Sequence, residues 1–323
     1  MNAPAFTRPR PDPVGRADSS FLADVLDGLA RSQKTVAAKY FYDLEGSRLF
    51  EEITRLPEYY PTRTELAILR DHAAAFVALS PPGAAVVEFG SGSTEKIRVL
   101  LGAIPDLAAY VPIDVSGDFL REEAAQLRAD RPGLTVIPVV ADFTRDMALP
   151  DELAGRPLIG FFPGSTIGNF EPEFAGWLLG RFAALLGSGA LLILGVDLVK
   201  PDAVLKAAYD DAAGVTARFN MNLLTRINRE LGADFDLTGF AHRAFFNRER
   251  SRIEMHLESL HQQSVRIGTA RFDFAPGETI HTENSYKYTK TSFEALSGHA
   301  GWATARVATD PAELFSVFAL RAS

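Results

Sequence analysis

The spacing of the hydrophobic positions changes near residue 84, and this change predicts two kinds of structure in one chain. Before that point, apolar side chains recur at helical spacing in segments that start at Ser19–Ser20, near Ser47 and at Thr62. Thr62 and Glu65 have the spacing of a capping box, so we expect them to cap the third of these helices. After residue 84, short apolar runs alternate with helical segments, which is typical of parallel strands joined by crossover helices.

Apolar runs in the middle of the chain predict the strands of a doubly wound, Rossmann-like α/β sheet. The runs are Ala85–Phe89, Ala109–Ile113, Thr135–Val140, Leu158–Phe162 and Ala190–Val196. Because helices cover both faces of a parallel sheet, its strands are nearly continuous apolar segments, as these are.

The alternation stops after Pro201 and returns near the C-terminus. A helical stretch is followed by the strand-like segments Ser251–Leu260 and Ser264–Phe274, which predict an inserted α+β unit. The runs Ala303–Val307 and Phe315–Leu320 are then expected to join the first sheet. We therefore expect a discontinuous arrangement of a flexible tail and two domains. The predicted ranges are 1–18 for the tail, 19–63 plus 200–286 for the α+β domain, and 64–199 plus 287–323 for the α/β domain.

Composition and charge argue against several classes of function. The formal net charge is −8 and the pI about 5.4, so the basic excess of a nucleic-acid binder is absent. The chain has no cysteine, and its six histidines show no metal-ligand spacing, so no metal site is predicted. The N-terminus lacks the apolar region of a signal peptide, and no apolar run approaches the roughly 20 residues of a membrane span. We expect a cytoplasmic protein without a nucleic-acid or membrane partner.

The stretch VVEFGSGSTEK, from Val86 to Lys96, has the glycines of a ligand-binding loop. Gly90 and Gly92 follow a strand and precede a helix, where a missing Cβ lets the backbone approach a ligand. The loop is not a Walker A motif, because neither a preceding Gly nor a following Ser or Thr flanks Lys96. It is an incomplete dinucleotide fingerprint, because Glu95 occupies the position of the third glycine.

Acidic residues at the strand ends point to a more specific cofactor. Asp114 ends the second strand and is suited to both ribose hydroxyls, because a carboxylate only accepts hydrogen bonds. Asp142 and Phe143 end the third strand and are suited to an adenine amino group and ring, while Glu88 is placed to balance a positive charge. This series fits an adenosine with a cationic tail, as in S-adenosylmethionine, better than one with a pyrophosphate. The alternative is that Asp114 and Asp142 only cap the helices that follow them.

With these residues in view, the sequence resembles the histidine-specific Nα-methyltransferases of ergothioneine biosynthesis, from about Lys39 to the C-terminus. The motifs that carry the resemblance are KYFYDLEGSRLFEEI (39–53), LPEYYPTRTE (56–65), EFGSGSTEK (88–96), FFPGSTIGNF (161–170), AYDDAAGVTARFNMN (208–222) and IHTENSYKY (280–288). The resemblance implies a class I methyltransferase domain that binds S-adenosylmethionine and an α+β domain that binds the substrate.

The resemblance also implies roles for individual residues. Those matched to the cofactor are Tyr59, Gly90, Lys96, Asp114, Asp142 and Phe143. Those matched to the substrate are Tyr42, Tyr59, Gly164, Asn169, Tyr209, Met255, Glu283 and Ser285. Asn169 and Tyr209 would hold the backbone of the amino acid, and Glu283 and Ser285, assisted by Tyr42, would bind its imidazole. Asn169 and Tyr42 are the residues expected to take part in catalysis.

The expected reaction is trimethylation of the α-amine of L-histidine to hercynine, by a monomeric enzyme with no evident general base. Three alternatives stay open on the residues alone. The substrate is another amino acid or an aromatic amine such as tryptophan. The protein is a non-catalytic module that binds the cofactor and regulates a partner. The protein is a nicotinamide oxidoreductase, which the incomplete glycine motif disfavours.

Overall fold

A computed structural model describes residues 17–91 and 94–323 of the chain. The predicted flexible tail, except for its last two residues, lies outside the described residues, as does Gly92 of the predicted glycine loop. Within the described residues, no helix combines the length and the apolar character needed to cross a membrane.

The helices alternate with the strands through the middle of the chain, as the apolar pattern predicts. The helices are α1 (Ala17–Leu29), α2 (Leu44–Thr54), α3 (Tyr60–Val77), α4 (Thr94–Gly102), α5 (Gly117–Asp130), α6 (Pro172–Leu186), α7 (Asp202–Tyr209), α8 (Val215–Leu231) and α9 (Lys290–His299). The strands are β1 (Lys34–Thr35), β2 (Ala85–Phe89), β3 (Ala109–Asp114), β4 (Val139–Val140), β5 (Leu158–Phe162), β6 (Leu191–Asp197), β7 (Phe240–Asn247), β8 (Arg252–Ser259), β9 (Gln263–Ile267), β10 (Ala270–Phe274), β11 (Thr279–Tyr286), β12 (Trp302–Thr309) and β13 (Phe315–Ala322).

The chain divides into two compact units. Unit 1 comprises Met1–Tyr60 and Lys200–Ser285, and unit 2 comprises Pro61–Val199 and Tyr286–Ser323. Both units are discontinuous in sequence, because unit 1 contributes residues on either side of the first segment of unit 2. The assignment of one domain to the substrate and the other to the cofactor stays a proposal.

Unit 2 is built on a seven-stranded sheet in the order β12-β13-β6-β5-β2-β3-β4. The five strands β6-β5-β2-β3-β4 each pair in parallel with their neighbours in this order. Strand β13 pairs antiparallel with both β6 and β12. This doubly wound order with an antiparallel strand inserted at one side is that of a Rossmann-like class I methyltransferase domain, so the predicted fold class is confirmed. The parallel strands end at one edge, where ligands of open α/β sheets bind.

Both faces of this sheet are buried, which explains the uninterrupted apolar runs. One core cluster joins Val87 and Phe89 of β2 to Phe182 of α6. The opposite cluster joins Val86 of β2 to Phe76 of α3, together with residues of α4 and α5. Helices on both sides therefore hold the carboxyl ends of the strands in fixed positions.

Two predicted strands differ from the structure. The run Thr135–Val140 forms a regular strand only over Val139–Val140, because β4 lies at the edge of the sheet and pairs with β3 alone. The run Ser264–Phe274 is a hairpin, β9 and β10, rather than one strand. Gly268 turns this hairpin at a φ of 58°, a left-handed conformation that glycine adopts without strain.

Unit 1 contains a four-stranded sheet in the order β1-β11-β8-β7. Helix α8 packs on β7 and β8, and α2 packs against α8. Asp43 caps α2 by accepting a hydrogen bond from the backbone N–H of Gly46 at 2.7 Å, and it also accepts one from Asn222 of α8 at 2.8 Å. This α+β arrangement matches the inserted unit that the sequence predicts.

Candidate functional site

The glycine loop of unit 2 folds across the end of β3. The backbone N–H groups of Gly90 and Ser91 both donate to the carbonyl of Ile113, at 2.9 and 3.3 Å. Gly90 has a φ of 79°, and a Cβ at this position would lie 3.5 Å from the ring of Phe143. Two predicted cofactor residues, Gly90 and Phe143, are therefore neighbours at this end of the sheet, and the positive φ of Gly90 suits a glycine.

The carboxylates of Asp114 and Asp142 each bind a local backbone N–H group. Asp114 Oδ1 accepts from Ser116 at 2.8 Å, and Asp142 Oδ1 accepts from Thr144 at 2.9 Å. Both contacts are local turns rather than helix caps, because Ser116 holds the cap position of α5 and a turn, not a helix, follows Asp142. Burial raises the pKa of Asp114, and backbone hydrogen bonds partly oppose this shift.

Glu88, at the end of β2, is buried. Its Oε2 accepts a hydrogen bond from the hydroxyl of Tyr110, whereas its buried Oε1 has no hydrogen-bond partner among the described residues. Burial raises the pKa of this carboxyl to about 8. A buried acceptor without a donor is costly in a folded protein, so a donor from a bound ligand would stabilise this site.

Lys96, a predicted cofactor residue, forms a buried ion pair within unit 2. Its Nζ lies 2.5 Å from Glu65 Oε2, and both side chains are buried. The Glu65 carboxylate also accepts the backbone N–H of Gly164 at both oxygens, at 3.0 and 2.9 Å. The predicted capping box is therefore wrong: α3 begins at Tyr60, ahead of Thr62, and Glu65 points to other partners.

Asn169 ends a short 3-10 helix, Thr166–Asn169, in the loop that follows β5. This loop leaves the carboxyl edge of the sheet in unit 2, beside the strand that carries Glu88. Within residues 17–91 and 94–323, the side-chain amide of Asn169 makes no hydrogen bond. The amide is therefore available to bind a substrate, with one donor group and one acceptor.

Aromatic side chains connect the predicted substrate residues of unit 1. The ring of Tyr42 lies 5.6 Å from that of Phe50, which lies 6.2 Å from that of Tyr59. Tyr59 in turn lies 6.3 Å from Tyr209, at an interplanar angle of 66°. Tyr59 and Tyr209 are buried, whereas Tyr42 is 45% exposed. The row therefore runs from the surface of the unit into its interior.

The interior end of this row meets strand β11. The hydroxyl of Tyr209 lies 2.7 Å from that of Ser285, and Glu283 is two residues earlier on the same strand. Met255 of β8 is buried, and its carbonyl accepts a hydrogen bond from Thr282 at 3.0 Å. Glu283 and Ser285 thus lie on the strand next to the one that carries the buried Met255.

The predicted site residues are distributed over both units. Unit 2 contains Gly90, Lys96, Asp114, Asp142, Phe143, Gly164 and Asn169, and unit 1 contains Tyr42, Tyr59, Tyr209, Met255, Glu283 and Ser285. Sequence reasoning missed Glu65, although it lies inside the quoted motif LPEYYPTRTE. Its partner Gly164 is 99 residues away, so only the fold reveals the contact.

A cluster of Glu254, His256 and His281 also forms in unit 1, with possible ligand atoms within 4.8 Å of one another. Glu254 and His256 lie two residues apart on β8, but His281 comes from β11, so spacing along the chain alone does not reveal the whole cluster. Glu254 accepts hydrogen bonds from Arg252 at 2.8 Å and from His256 at 3.1 Å, and the two imidazoles stack with centroids 4.5 Å apart.

The charge of Glu254 is balanced by protein groups within this cluster. Burial opposes the ionisation of Glu254, but hydrogen bonds from Arg252 and its neighbours outweigh this and lower its pKa to about 2. Burial, together with the adjacent His281, lowers the pKa of His256 to about 4. Arg252 therefore already balances the carboxylate, and we interpret the cluster as an internal hydrogen-bond network.

Comparison with known proteins removes one of the open alternatives. The model of the family described as histidine-specific, S-adenosylmethionine-dependent methyltransferases matches residues 21–322. The chain belongs to this family. Membership confirms the predicted resemblance, the methyltransferase activity and S-adenosylmethionine as the cofactor, and it removes the oxidoreductase alternative.

Relatives of this family member are similar over most of its length. Histidine N-alpha-methyltransferase of Mycolicibacterium smegmatis is 44% identical, over 93% of this chain and 95% of that protein. The enzyme of the same name from Mycobacterium tuberculosis is 42% identical, over the same shares. Ergothioneine biosynthesis protein 1 of Neurospora crassa is 30% identical, over 80% of this chain and 30% of that protein.

The residues of this methyltransferase fit its cofactor. Gly90 presents its backbone without a side chain next to the aromatic ring of Phe143. The unpartnered oxygen of Glu88 can accept from a cationic or N–H group. Carboxyl groups from Glu88, Asp114 and Asp142 end neighbouring strands, which suits a cofactor with positive charge rather than a pyrophosphate.

Proposed function

We propose that this methyltransferase transfers three methyl groups to the α-amine of L-histidine and forms the betaine hercynine, the first step of ergothioneine biosynthesis. The names of its mycobacterial and fungal relatives support this proposal. We further propose that the enzyme acts as a cytoplasmic monomer without a nucleic-acid or membrane partner.

The observation that carries the proposed substrate is the hydrogen bond between Tyr209 and Ser285, at 2.7 Å. This bond fixes one hydroxyl near Glu283, on a strand whose neighbour carries the buried Met255. A carboxylate and a hydroxyl together can accept from and donate to the two nitrogens of a neutral imidazole. An apolar or indole side chain would leave these polar groups unpaired, which disfavours tryptophan.

The backbone of the amino acid requires a second set of contacts. We assign Asn169 to the α-amine, because its amide makes no hydrogen bond within the described part of the chain. Gly164 belongs to the same loop and leaves space where a side chain would crowd an amine that gains methyl groups. Tyr209, at the end of α7, is assigned to the carboxylate of the amino acid.

The cofactor contacts follow from the strand ends of unit 2. We assign Asp114 to the ribose hydroxyls, Asp142 to the adenine amino group and Phe143 to the adenine ring. Gly90 provides the close approach of the backbone. The remaining cofactor assignments are Lys96 and Tyr59.

S-adenosylmethionine, when bound, supplies an electrophilic methyl group on a sulfonium. The chain has to present the amine of histidine in its neutral form, because a protonated amine has no lone pair to donate. Asn169 can orient that lone pair by accepting an N–H of the amine at its carbonyl oxygen. Tyr42, which is 45% exposed, is assigned to pass the released proton to water. Alignment of this kind supplies much of the rate gain in a bimolecular reaction.

Mass spectrometry of single-substrate reactions tests the proposal. Purified protein and S-adenosylmethionine are incubated with histidine, tryptophan, tyrosine or another common amino acid, and the masses of the products are measured. Trimethylated histidine as the dominant product is the expected result. A methylated product from another amino acid alone would overturn the assigned substrate. Cofactor binding without any product would support the regulatory alternative instead.

A further inference from the structure

The loop from Pro163 to Asn169 carries two of the proposed substrate contacts, and a buried carboxylate holds it. Glu65 is 1% exposed and accepts the N–H of Gly164 at both oxygens, at 3.0 and 2.9 Å. The residue after Gly164, Ser165, adopts a φ of 55°, a left-handed conformation that a non-glycine residue seldom takes. Such a backbone persists only when its surroundings hold it in place.

The carboxylate of Glu65 is itself held by a buried cation. Lys96 Nζ lies 2.5 Å from Glu65 Oε2, with side chains 6% and 1% exposed. Breaking a buried ion pair by removing one partner leaves an uncompensated charge, so the pair is expected to have one geometry. Lys96 thereby fixes the direction in which Glu65 presents its oxygens to Gly164.

The neighbouring strand is shaped to admit this carboxylate. A Cβ at Gly195 of β6 would lie 2.1 Å from Glu65 Oε1, so only glycine leaves room for it. A hydrogen bond from the backbone N–H of Asp197 to Ser165 Oγ, at 2.9 Å, fixes the next residue of the loop. At the far end, a Cβ at Gly168 would lie 2.8 Å from the carbonyl of Tyr286, so the loop packs directly on backbone there.

We propose that Glu65 is a positioning residue for methyl transfer: paired with Lys96, it fixes the backbone of the Pro163–Asn169 loop and so the placement of the Asn169 amide. Glu65 acts through the loop and does not touch the reacting atoms. This inference rests on the proposed function, in which Asn169 orients the amine. A displacement of about 1 Å at such a contact can lower a rate roughly a hundredfold.

The test combines a structural and a kinetic measurement on Glu65→Gln. Amide hydrogen exchange over residues 161–170 is followed without cofactor, and kcat, KM for histidine and the Kd for S-adenosylmethionine are measured separately. We expect exchange to accelerate about tenfold or more in this peptide, since a hydrogen bond to a charged group is lost. We expect kcat to fall about tenfold or more, with the cofactor Kd changed less than about threefold. Asp130→Asn is the matched control, because it removes the partner of the partly exposed Arg98, which lies on the same helix as Lys96, α4.

Three results would overturn the proposal: unchanged exchange over 161–170, unchanged kcat per folded enzyme, or a cofactor Kd that rises by the same factor as kcat falls. If Glu65→Gln does not fold, the double variant Glu65→Gln/Lys96→Met removes the buried charge entirely, and its exchange rate over 161–170 answers the structural question. The exchange measurement needs no turnover. If wild-type protein makes no methylated histidine, the proposed function fails while the anchoring by Glu65 is still tested.

Discussion

The hydroxyl groups of Tyr209 and Ser285 lie 2.7 Å apart, although 76 residues separate them along the chain. One comes from the end of α7 and the other from β11. Each hydroxyl therefore has a defined partner in unit 1 before any substrate arrives. Polar groups held in this way lose little freedom on binding, which favours recognition of a small polar side chain.

Removing either hydroxyl should weaken histidine binding. We expect Tyr209→Phe and Ser285→Ala each to raise KM for histidine about tenfold, as the loss of one buried hydrogen bond implies. Because the two groups bond to each other, the double variant should lose less than the sum of the two effects on a free-energy scale. Steady-state kinetics on all variants measures this. Tyr40→Phe, which removes a hydroxyl bonded to Asp24, is the control, and additive losses would contradict the assigned pairing.

Glu283 should decide the choice of substrate. We expect Glu283→Ala to lower kcat/KM for histidine by about a hundredfold or more, since a site built for an N–H donor depends on its acceptor. The cofactor Kd should not change. Competition assays with histidine and tryptophan measure the ratio of kcat/KM values. Glu258→Gln, which removes a surface ion pair with Arg243, is the matched control. A Glu283→Ala enzyme with normal activity on its substrate would show that histidine is not that substrate.

Asn169 should affect turnover far more than cofactor binding. We expect Asn169→Ala to lower kcat about a hundredfold or more, because the amine loses the group that orients its lone pair. The Kd for S-adenosylmethionine, measured by calorimetry, should stay within about threefold of wild type, a change worth less than 1 kcal/mol. Asn169→Asp keeps an acceptor and should retain more activity. Equal losses in kcat and cofactor affinity would count against the assigned role.

Glu88 should make stability depend on pH. Its pKa in the folded chain is about 8, against an ordinary value of 4.5, because burial disfavours the charged form. The folded chain then binds this proton more tightly than the unfolded chain does. The contribution to stability is full below about pH 4.5 and declines as the pH rises towards about 8.

The variant Glu88→Gln lacks this titration. We expect its free energy of unfolding, measured in urea without cofactor, to fall less between about pH 5 and pH 8 than that of the wild type. Glu152→Gln, at an exposed position of the same unit, should follow the wild-type curve. Parallel curves for wild type and Glu88→Gln would mean that Glu88 is ionised at neutral pH in the free protein.

Removal of metal ions should leave the enzyme active. The cluster of Glu254, His256 and His281 has donor types that bind divalent metals, but Arg252 already pairs with its carboxylate. We expect dialysis against EDTA to change neither kcat nor the melting temperature. The cluster would be identified as a metal site if EDTA abolished activity, zinc restored it in the wild type, and zinc failed to restore it in His256→Ala.

The strands of unit 2 could be predicted closely from their apolar runs. Ala85–Phe89 and Leu158–Phe162 have the same bounds in the prediction and in the structure. These strands are buried on both faces, so nearly every position must be apolar and the pattern has little ambiguity. The edge strand β4 was predicted less accurately, because fewer partners constrain an edge strand. The β9–β10 hairpin was predicted as one strand, because a single glycine reverses the chain there.

The sequence by itself determined the class of the fold, the family and the residue types available for the chemistry, because these depend on local patterns and on contiguous motifs. Only the tertiary structure decided which partners those residues have. It turned Glu65 from a predicted helix cap into the anchor of Gly164, left Glu88 Oε1 without a donor among the described residues, and paired Tyr209 with Ser285. Contacts between residues far apart in the chain follow from how helices and strands pack, and no spacing along the sequence encodes them.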